Sequence, residues 1–340
     1  MKHRRTGFLL AFLLLQTLAA CGDRGPGEFQ LKGPAMGTTF TVTLVAANDV
    51  DLEHLRFAIH SVLDDADRRM STYREDSELA RFNRSRSTDW LAVSRELCDA
   101  VHLALEIGKL TSGAFDITVG PVVDLWGFGP GEAVTSPPSD DDIQLERMKT
   151  GLENVEADCE NPAIRKARPD LRIDLSGFGK GRAADEVGFL LQEQGIFNFL
   201  VEIGGDLRVQ GRKANGQEWN IAIETPDSQG RAIERVIQVG QNFVATSGDY
   251  RNFFEHDGNR YSHTIDPRTA RPVTHDLASV TVVFDNGAIA DAYATALMVL
   301  GPDAGMMLAE RLGIDAYFLV RDGESLSARS SGTFEARFGL

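Results

Sequence analysis

The chain has 340 residues, 42% hydrophobic and 25% charged, the balance of an ordinary globular protein with apolar material for one large domain or two intimate subdomains. Against 50 acidic residues stand 35 basic ones, a formal net charge of −15 that offers no footprint for nucleic acid and excludes it as a partner. The same charge repels a phosphate-bearing ligand at long range, so such a ligand needs a metal ion, local Arg/Lys side chains or backbone N–H groups.

Residues 1–20 read as a targeting segment, with Lys2, Arg4 and Arg5 as its basic end and residues 8–15 as an apolar run. That run is short of the roughly 20 apolar residues of a membrane span and suits a signal peptide. Leu18, Ala19 and Ala20 ahead of Cys21 match the lipobox of bacterial lipoproteins, in which the cysteine is acylated; an ordinary signal peptide cut near Ala20 is the alternative. The expectation is a signal peptide over 1–20, a flexible tether over 21–30 that starts at lipidated Cys21, and one domain over 31–340. Such a protein is lipid-anchored on a bacterial membrane and faces the periplasm.

Residues 31–45 open the domain as a half-buried strand, because Thr39, Thr41 and Thr43 alternate with Phe40, Val42 and Leu44. Over 51–69, Leu52, Leu55, Ile59, Val62, Leu63 and Ala66 fall at helical spacing, and this core-packing helix requires no function of His54 or His60. Residues 94–110 form a second amphipathic helix through Leu97, Val101, Ala104 and Leu105. Cys98 lies in that helix; it and Cys159 show neither CxxC spacing nor a Cys/His cluster, which argues against a zinc site or a thiol nucleophile. Whether the two pair or Cys98 is a small buried hydrophobe stays open. Pro130, Pro137 and Pro138 with an acidic run make 129–142 an exposed excursion.

Residues 171–181 read as a strand and Gly-rich turn leading into a helix over 182–194, the arrangement by which chains aim backbone N–H groups at a phosphate, although not the Walker pattern. A buried strand over 197–203 runs into Gly204-Gly205-Asp206, and 207–210 is expected to pair with 219–224 as a hairpin. Strands over 233–239, 243–246 and 279–284 extend the sheet. Helices are expected over 288–300 and 303–312, then a hairpin of 316–321 with 325–329 around Asp322-Gly323.

Five regions carry unusual chemistry, the first of them in two parts. Ser247-Gly248-Asp249-Tyr250-Arg251 and Arg260-Tyr261-Ser262-His263-Thr264-Ile265-Asp266-Pro267-Arg268-Thr269 gather hydroxyl, carboxylate, imidazole and guanidinium groups between Gly and Pro punctuation. By itself Asp266-Pro267-Arg268-Thr269 is an ordinary β-turn. Met70-Ser71-Thr72-Tyr73-Arg74-Glu75-Asp76-Ser77-Glu78-Leu79 contains a helix cap at Asp76-Ser77 that leaves Tyr73 unexplained. Ala114-Phe115-Asp116-Ile117-Thr118-Val119-Gly120-Pro121, continuing to Trp126-Gly127-Phe128-Gly129, offers aromatic surface and a carboxylate near close-approach glycines, with Trp126 equally readable as structural. In the fourth, Asp174-Leu175-Ser176-Gly177-Phe178-Gly179-Lys180-Gly181 fills the Gly-rich turn. In the fifth, Asp291 and Thr295 stand four apart on one helical face, either a cap with a back-bonded threonine or oxygen ligands for a hard cation.

Together these segments, with Met36-Gly37-Thr38, closely resemble the ApbE-type flavin transferases, and the resemblance covers essentially the mature chain. It implies an α+β fold, ApbE-like and T-fold-related, of two-lobed antiparallel sheets with packed helices and FAD in the cleft between the lobes. Strand runs with hairpins rather than βαβ repeats agree. The resemblance further implies FAD contacts from Met36, Tyr73, Ala114, Phe115, Asp116, Asp174, Lys180 and Ile265, and Mg2+ ligands from the Gly177 carbonyl, Asp291 and Thr295. Ser176, Phe178, Gly179 and Arg182 depart from the family pattern at this turn, sparing the ligand positions but altering the pocket's shape. The implied activity is Mg2+-dependent transfer of FMN from FAD to a Thr or Ser hydroxyl of an acceptor, a flavoprotein subunit of a membrane redox complex, with AMP released. His263 is the general-base candidate, because imidazole exchanges protons near neutral pH. The alternatives are hydrolysis of FAD to FMN and AMP, or a flavin-binding lipoprotein without catalysis, which would need neither metal nor base.

Overall fold

The computed structural model of the protein describes residues 25–131, 133–226, 232–250, 252–323 and 325–339; the signal segment, Cys21 and Arg251 lie outside them. The elements begin with strands β1 (Gly27–Ala35) and β2 (Thr38–Ala46), helices α1 (Leu52–Met70) and α2 (Glu78–Arg84), strand β3 (Leu91–Ala92) and helices α3 (Arg95–Leu110), α4 (Gly120–Leu125) and α5 (Asp140–Arg147). Next come β4 (Val155–Asp158), β5 (Ala163–Lys166), α6 (Gly179–Glu193), β6 (Phe199–Ile203), β7 (Asp206–Gln210), β8 (Trp219–Glu224), β9 (Ile233–Val239) and β10 (Gln241–Gly248). The remainder is β11 (Phe253–His256), β12 (Asn259–Ser262), β13 (Ile265–Asp266), β14 (Arg271–Pro272), β15 (Leu277–Phe284), α7 (Gly287–Leu312), β16 (Asp315–Asp322), β17 (Ser325–Ser330) and α8 (Gly332–Phe338).

An eight-stranded sheet in the order β1-β2-β6-β7-β10-β15-β16-β17, antiparallel at every pairing, forms the frame. Its residues alternate between two cores. Phe40, Val42 and Leu44 of β2 point into the larger one, beneath α1, α6 and α7, while Val45 joins Val209, Val244 and Val283 on the other face. That second face is covered by the separate β8–β9 pair, through Trp219, Ile221 and Ile237, and by Phe334 of α8. Side-chain caps start α1, α3 and α7: Asp51 accepts from His54 N, Ser94 from Leu97 N and Asn286 from Ile289 N. α7 is long and apolar enough to cross a membrane by composition, yet it packs on β10, β15 and β16 as a core helix.

Four expectations need correction. Residues 31–45 are not one strand but parts of a β1–β2 hairpin, closed at Ala35↔Thr38 by Met36 and Gly37, both with positive φ (48° and 74°), the type I′ geometry that matches strand twist. Because β1 starts at Gly27, residues 27–30 belong to the folded domain rather than to the tether. Strand β7 pairs with β6 and β10, not with β8, since Gly204 and Gly205 already reverse the chain between Ile203 and Asp206. Residues 171–175, of which Leu171, Ile173 and Leu175 are buried, join no ladder, and the helix that follows starts at Gly179, three residues earlier than its pattern suggests. Within α7, Gly301 (φ 79°, ψ −177°) ahead of Pro302 breaks the helix, which accounts for the two helical stretches in its sequence.

Candidate active site

Two hairpin turns at one end of the sheet, Met36-Gly37 and Gly204-Gly205, receive the N-terminus of α6. A Cβ placed on Gly179 would lie 3.6 Å from Met36 Cε, and one on Gly204 would lie 3.3 Å from Lys180 Cδ. The positive φ of Met36 is strained for a side chain with a Cβ, a feature that gathers at ligand sites.

Lys180 reaches from α6 to two buried carboxylates. Its ammonium is hydrogen-bonded to Asp206 Oδ2 and lies 3.6 Å from Asp291 Oδ1. Burial pulls the Lys180 pKa down, but the attraction of Asp206 and Asp291 outweighs it and leaves the amine firmly protonated. Asp291 is only 4% exposed and accepts from Gly181 N at 3.2 Å. Desolvation raises its pKa, with Lys180 opposing and Asp206 adding to the rise. Asp206, which ties the turn after β6 to Thr246 N at 3.2 Å, was not among the sequence-derived candidates. Its Gly-Gly-Asp setting was visible, but its partner lies 26 residues away.

The metal-ligand candidates converge. Thr295 Oγ1 would stand 3.0 Å from a Cβ on Gly177, and Phe115 Cε2 3.5 Å from the same point. Thr295 is one helical turn beyond Asp291 on α7, so a carboxylate, a hydroxyl and the Gly177 loop share one corner. Among the described residues no three His, Cys, Asp or Glu side chains cluster as metal ligands. A cation here would therefore rest on one carboxylate with neutral oxygens, a donor set suited to a hard ion.

Asp174 sits on the 171–177 loop, its Oδ1 accepting from Ser176 N (2.8 Å) and Oγ (2.5 Å). Asp116 Oδ1 accepts from Thr118 N (2.7 Å) and Oγ1 (2.6 Å). Burial raises both carboxyl pKa values against these hydrogen bonds. Ala114 and Phe115 are buried in the main core. Tyr73 is 65% exposed, a large aromatic face left uncovered, and partial desolvation by surrounding protein groups, with the nearby Asp174 and Asp124, raises its phenol pKa.

His263 lies beyond an aromatic stack in which Trp126 faces Tyr261 (5.6 Å between centroids) and Tyr261 faces Phe254 (5.0 Å), with its ring edge-on to Phe128. Trp126, fully buried with Nε1–H donating to Ala270 O at 3.0 Å, serves this small core, to which Ile265 also belongs. His263 Nδ1 is 3.2 Å from Asn252 O. A carbonyl can only accept, so Nδ1 carries the proton and Nε2 keeps its lone pair. The imidazole is exposed but recessed among protein groups. Desolvation lowers its pKa most, the Asn252 bond and Asp249 oppose, and Lys180 lowers it further. Asp249 is itself fixed by a two-pronged ion pair with Arg321.

The sequence pattern of the ApbE family matches residues 36–318, a span that holds all of these groups except Arg321. The chain belongs to the ApbE family. A Vibrio cholerae serotype O1 protein named FAD:protein FMN transferase is 40% identical over 329 residues, 96% of this chain and 98% of its own length. The solved flavin transferase ApbE from Vibrio cholerae superposes with a TM-score of 0.86 at 39% identity, covering 92% of this chain and all of that one. The apo flavinyl transferase ApbE of Pseudomonas stutzeri gives 0.84 at 38% identity over 93% and 98% of the two chains. The α+β ApbE fold is thus shared across nearly the whole domain.

Proposed function

We propose that the protein is a Mg2+-dependent FAD:protein FMN transferase. The observation that carries this reading is the convergence of Gly177, Lys180, Asp291 and Thr295, distant in sequence, at the corner beside Met36. In this acidic protein Lys180 and the α6 N-terminus supply the positive potential that FAD's pyrophosphate needs. The exposed face of Tyr73 and the Asp116 and Asp174 carboxyls suit the flavin and adenosine ends. Gly177 O, Asp291 and Thr295 would hold Mg2+, which when bound supplies charge neutralisation of the pyrophosphate. Lys180 is shared between Asp206, which takes its hydrogen bond, and Asp291, whose Oδ1 lies 3.6 Å from the ammonium, so a cation at Asp291 would sit beside this ion pair.

In the proposed reaction the acceptor's Thr or Ser oxygen attacks the FMN-side phosphorus, His263 Nε2 takes the hydroxyl proton, and the P–O bond to AMP breaks. Electrons and protons balance, with AMP leaving as the phosphomonoester. The acceptor fits a flavoprotein subunit of a membrane redox complex, and lipidation of Cys21 would keep the domain on the periplasmic side of a bacterial membrane beside it. Water in place of the acceptor would make the same site an FAD pyrophosphatase.

Incubation with FAD, Mg2+ and a candidate acceptor, followed by mass spectrometry for one added FMN, tests the reading. Release of FMN and AMP without acceptor modification would favour hydrolysis. Asp291→Ala removes the only formal charge of the proposed metal shell, so Mg2+ dependence should collapse while weak FAD binding survives. Excess Mg2+ should rescue Thr295→Ala better than Asp291→Ala, with melting curves to exclude unfolding. Transfer that persists in chelator would refute the metal's role.

A further inference from the structure

The loop over 171–177 presents both Asp174 and Gly177, and its Leu171, Ile173 and Leu175 are buried without a β-ladder. Buried backbone polar groups need partners; Leu171 N finds Arg168 O and Asp174 N finds Ile117 O, while side chains answer Leu171 O and both polar groups of Ile173. Asn83, in the last turn of α2, brackets Ile173 from both sides: its Oδ1 accepts from Ile173 N and its Nδ2 donates to Ile173 O, each at 2.8 Å. Lys166, the last residue of β5, donates to Leu171 O at 2.8 Å and to the carbonyls of Phe82 and Asn83 at 3.2 and 3.3 Å. The ammonium also lies 5.1 Å from the Phe82 ring centroid.

Lys166 is 1% exposed. Its charged surroundings are Arg86 and Arg172, which repel it, and Asp170, which attracts it through space. A buried ammonium met by carbonyls alone is costly, and an apolar side chain of the same length would serve packing better. We propose that Lys166 and Asn83 are positioning residues that replace the missing ladder and set the placement of Asp174 and Gly177 toward FAD and its cation. This role rests on the transferase reading of the site. The ammonium has three donors for the carbonyls of Leu171, Phe82 and Asn83, whereas the neutral amine has two, so deprotonation leaves one carbonyl unanswered and loosens the clamp between α2 and the loop. Burial, with help from Arg86, pulls the Lys166 pKa down to about 8, so that change falls within reach of experiment.

The test measures FAD affinity at saturating Mg2+, and Mg2+ affinity at saturating FAD, by calorimetric titration without acceptor, alongside thermal melting. Lys166→Met and Asn83→Ala should each weaken binding roughly 10–100-fold, the usual scale for groups that orient ligand-bearing atoms. Between pH 7 and 9 the wild type should lose affinity as Lys166 deprotonates. Its stability contribution from this group moves the other way: the folded pKa lies below the unfolded one, so the unfolded chain binds more protons and stability rises with pH over that window. A merely structural lysine would make affinity and melting move together. Lys166→Met should abolish the pH dependence of binding. Should that variant fail to fold, the wild-type pH profile and Asn83→Ala decide the matter. A flat wild-type profile, or variants that bind as wild type does, overturns the positioning role alone, whereas wild type that binds no FAD overturns the reading of the site.

Discussion

At the scale of single residues, His263 carries the sharpest expectation. Its Nδ1–H points at Asn252 O, which fixes the tautomer and leaves Nε2 to accept a proton. Because desolvation depresses its pKa, the ring is neutral and competent at pH 7. Transfer should therefore be level at neutral pH and fall about tenfold per unit below a pKa that lies under the usual ~6.5 for histidine. His263→Ala should keep FAD affinity and lose roughly 10²–10⁴-fold in transfer, measured as kcat/KM against pH. Unchanged turnover would remove His263 from the chemistry. The residue itself was legible in Arg260-Tyr261-Ser262-His263, as were Asp291 and Thr295 from their spacing. The Asn252 carbonyl was not, because a backbone partner 11 residues away leaves no mark on side-chain pattern.

At the scale of elements, the site depends on how closely α6 and α7 cross. A Cβ on Gly181 would fall 2.0 Å from Gly287 O, and one on Gly287 would fall 2.4 Å from Gly181 O. Neither is tolerable without moving a helix. Asp185 of α6 reinforces the crossing by accepting from Gly287 N at 2.6 Å, which satisfies one free donor at the start of α7. This contact delivers Asp291 to Gly181 N and Lys180. Gly181→Ala should separate the helices and cost about 1–3 kcal/mol or more by overpacking, read as a lower melting temperature. Mg2+ affinity should fall with it, since the strain falls beside Asp291. A variant with wild-type melting and metal affinity would show that the crossing has slack.

At the scale of the whole molecule, Cys98 of α3 is bonded to Cys159, just beyond β4, across 61 residues of chain. This settles the pairing that composition left open. Cross-linking a loop of this size is worth roughly 2–4 kcal/mol, mostly by restricting the unfolded chain. Cys98→Ser should lose about that much stability and melt lower, and a thiol reductant should lower the melting temperature of wild type but not of the variant. Equal melting with and without reductant would mean that the bond contributes nothing. Such a bond persists only in an oxidising compartment, which agrees with the proposed export through the leader ahead of Cys21.

Local pattern determined which stretches are helix or strand wherever one face was repetitively apolar, as in α1, α3, β2 and the β16–β17 hairpin. It also revealed the chemistry-bearing segments, because their glycines, aromatics and carboxylates serve no periodic face. What it could not determine was pairing. The partner of β7 depended on two positive-φ glycines closing the turn to β6, and 171–175 stayed outside any ladder because Asn83 and Lys166 answer its backbone from afar. Bringing Gly177 to Thr295, and Lys180 between Asp206 and Asp291, required α6 and α7 to cross on one sheet. The α6–α7 contacts among these join residues more than a hundred positions apart, and no local propensity encodes them.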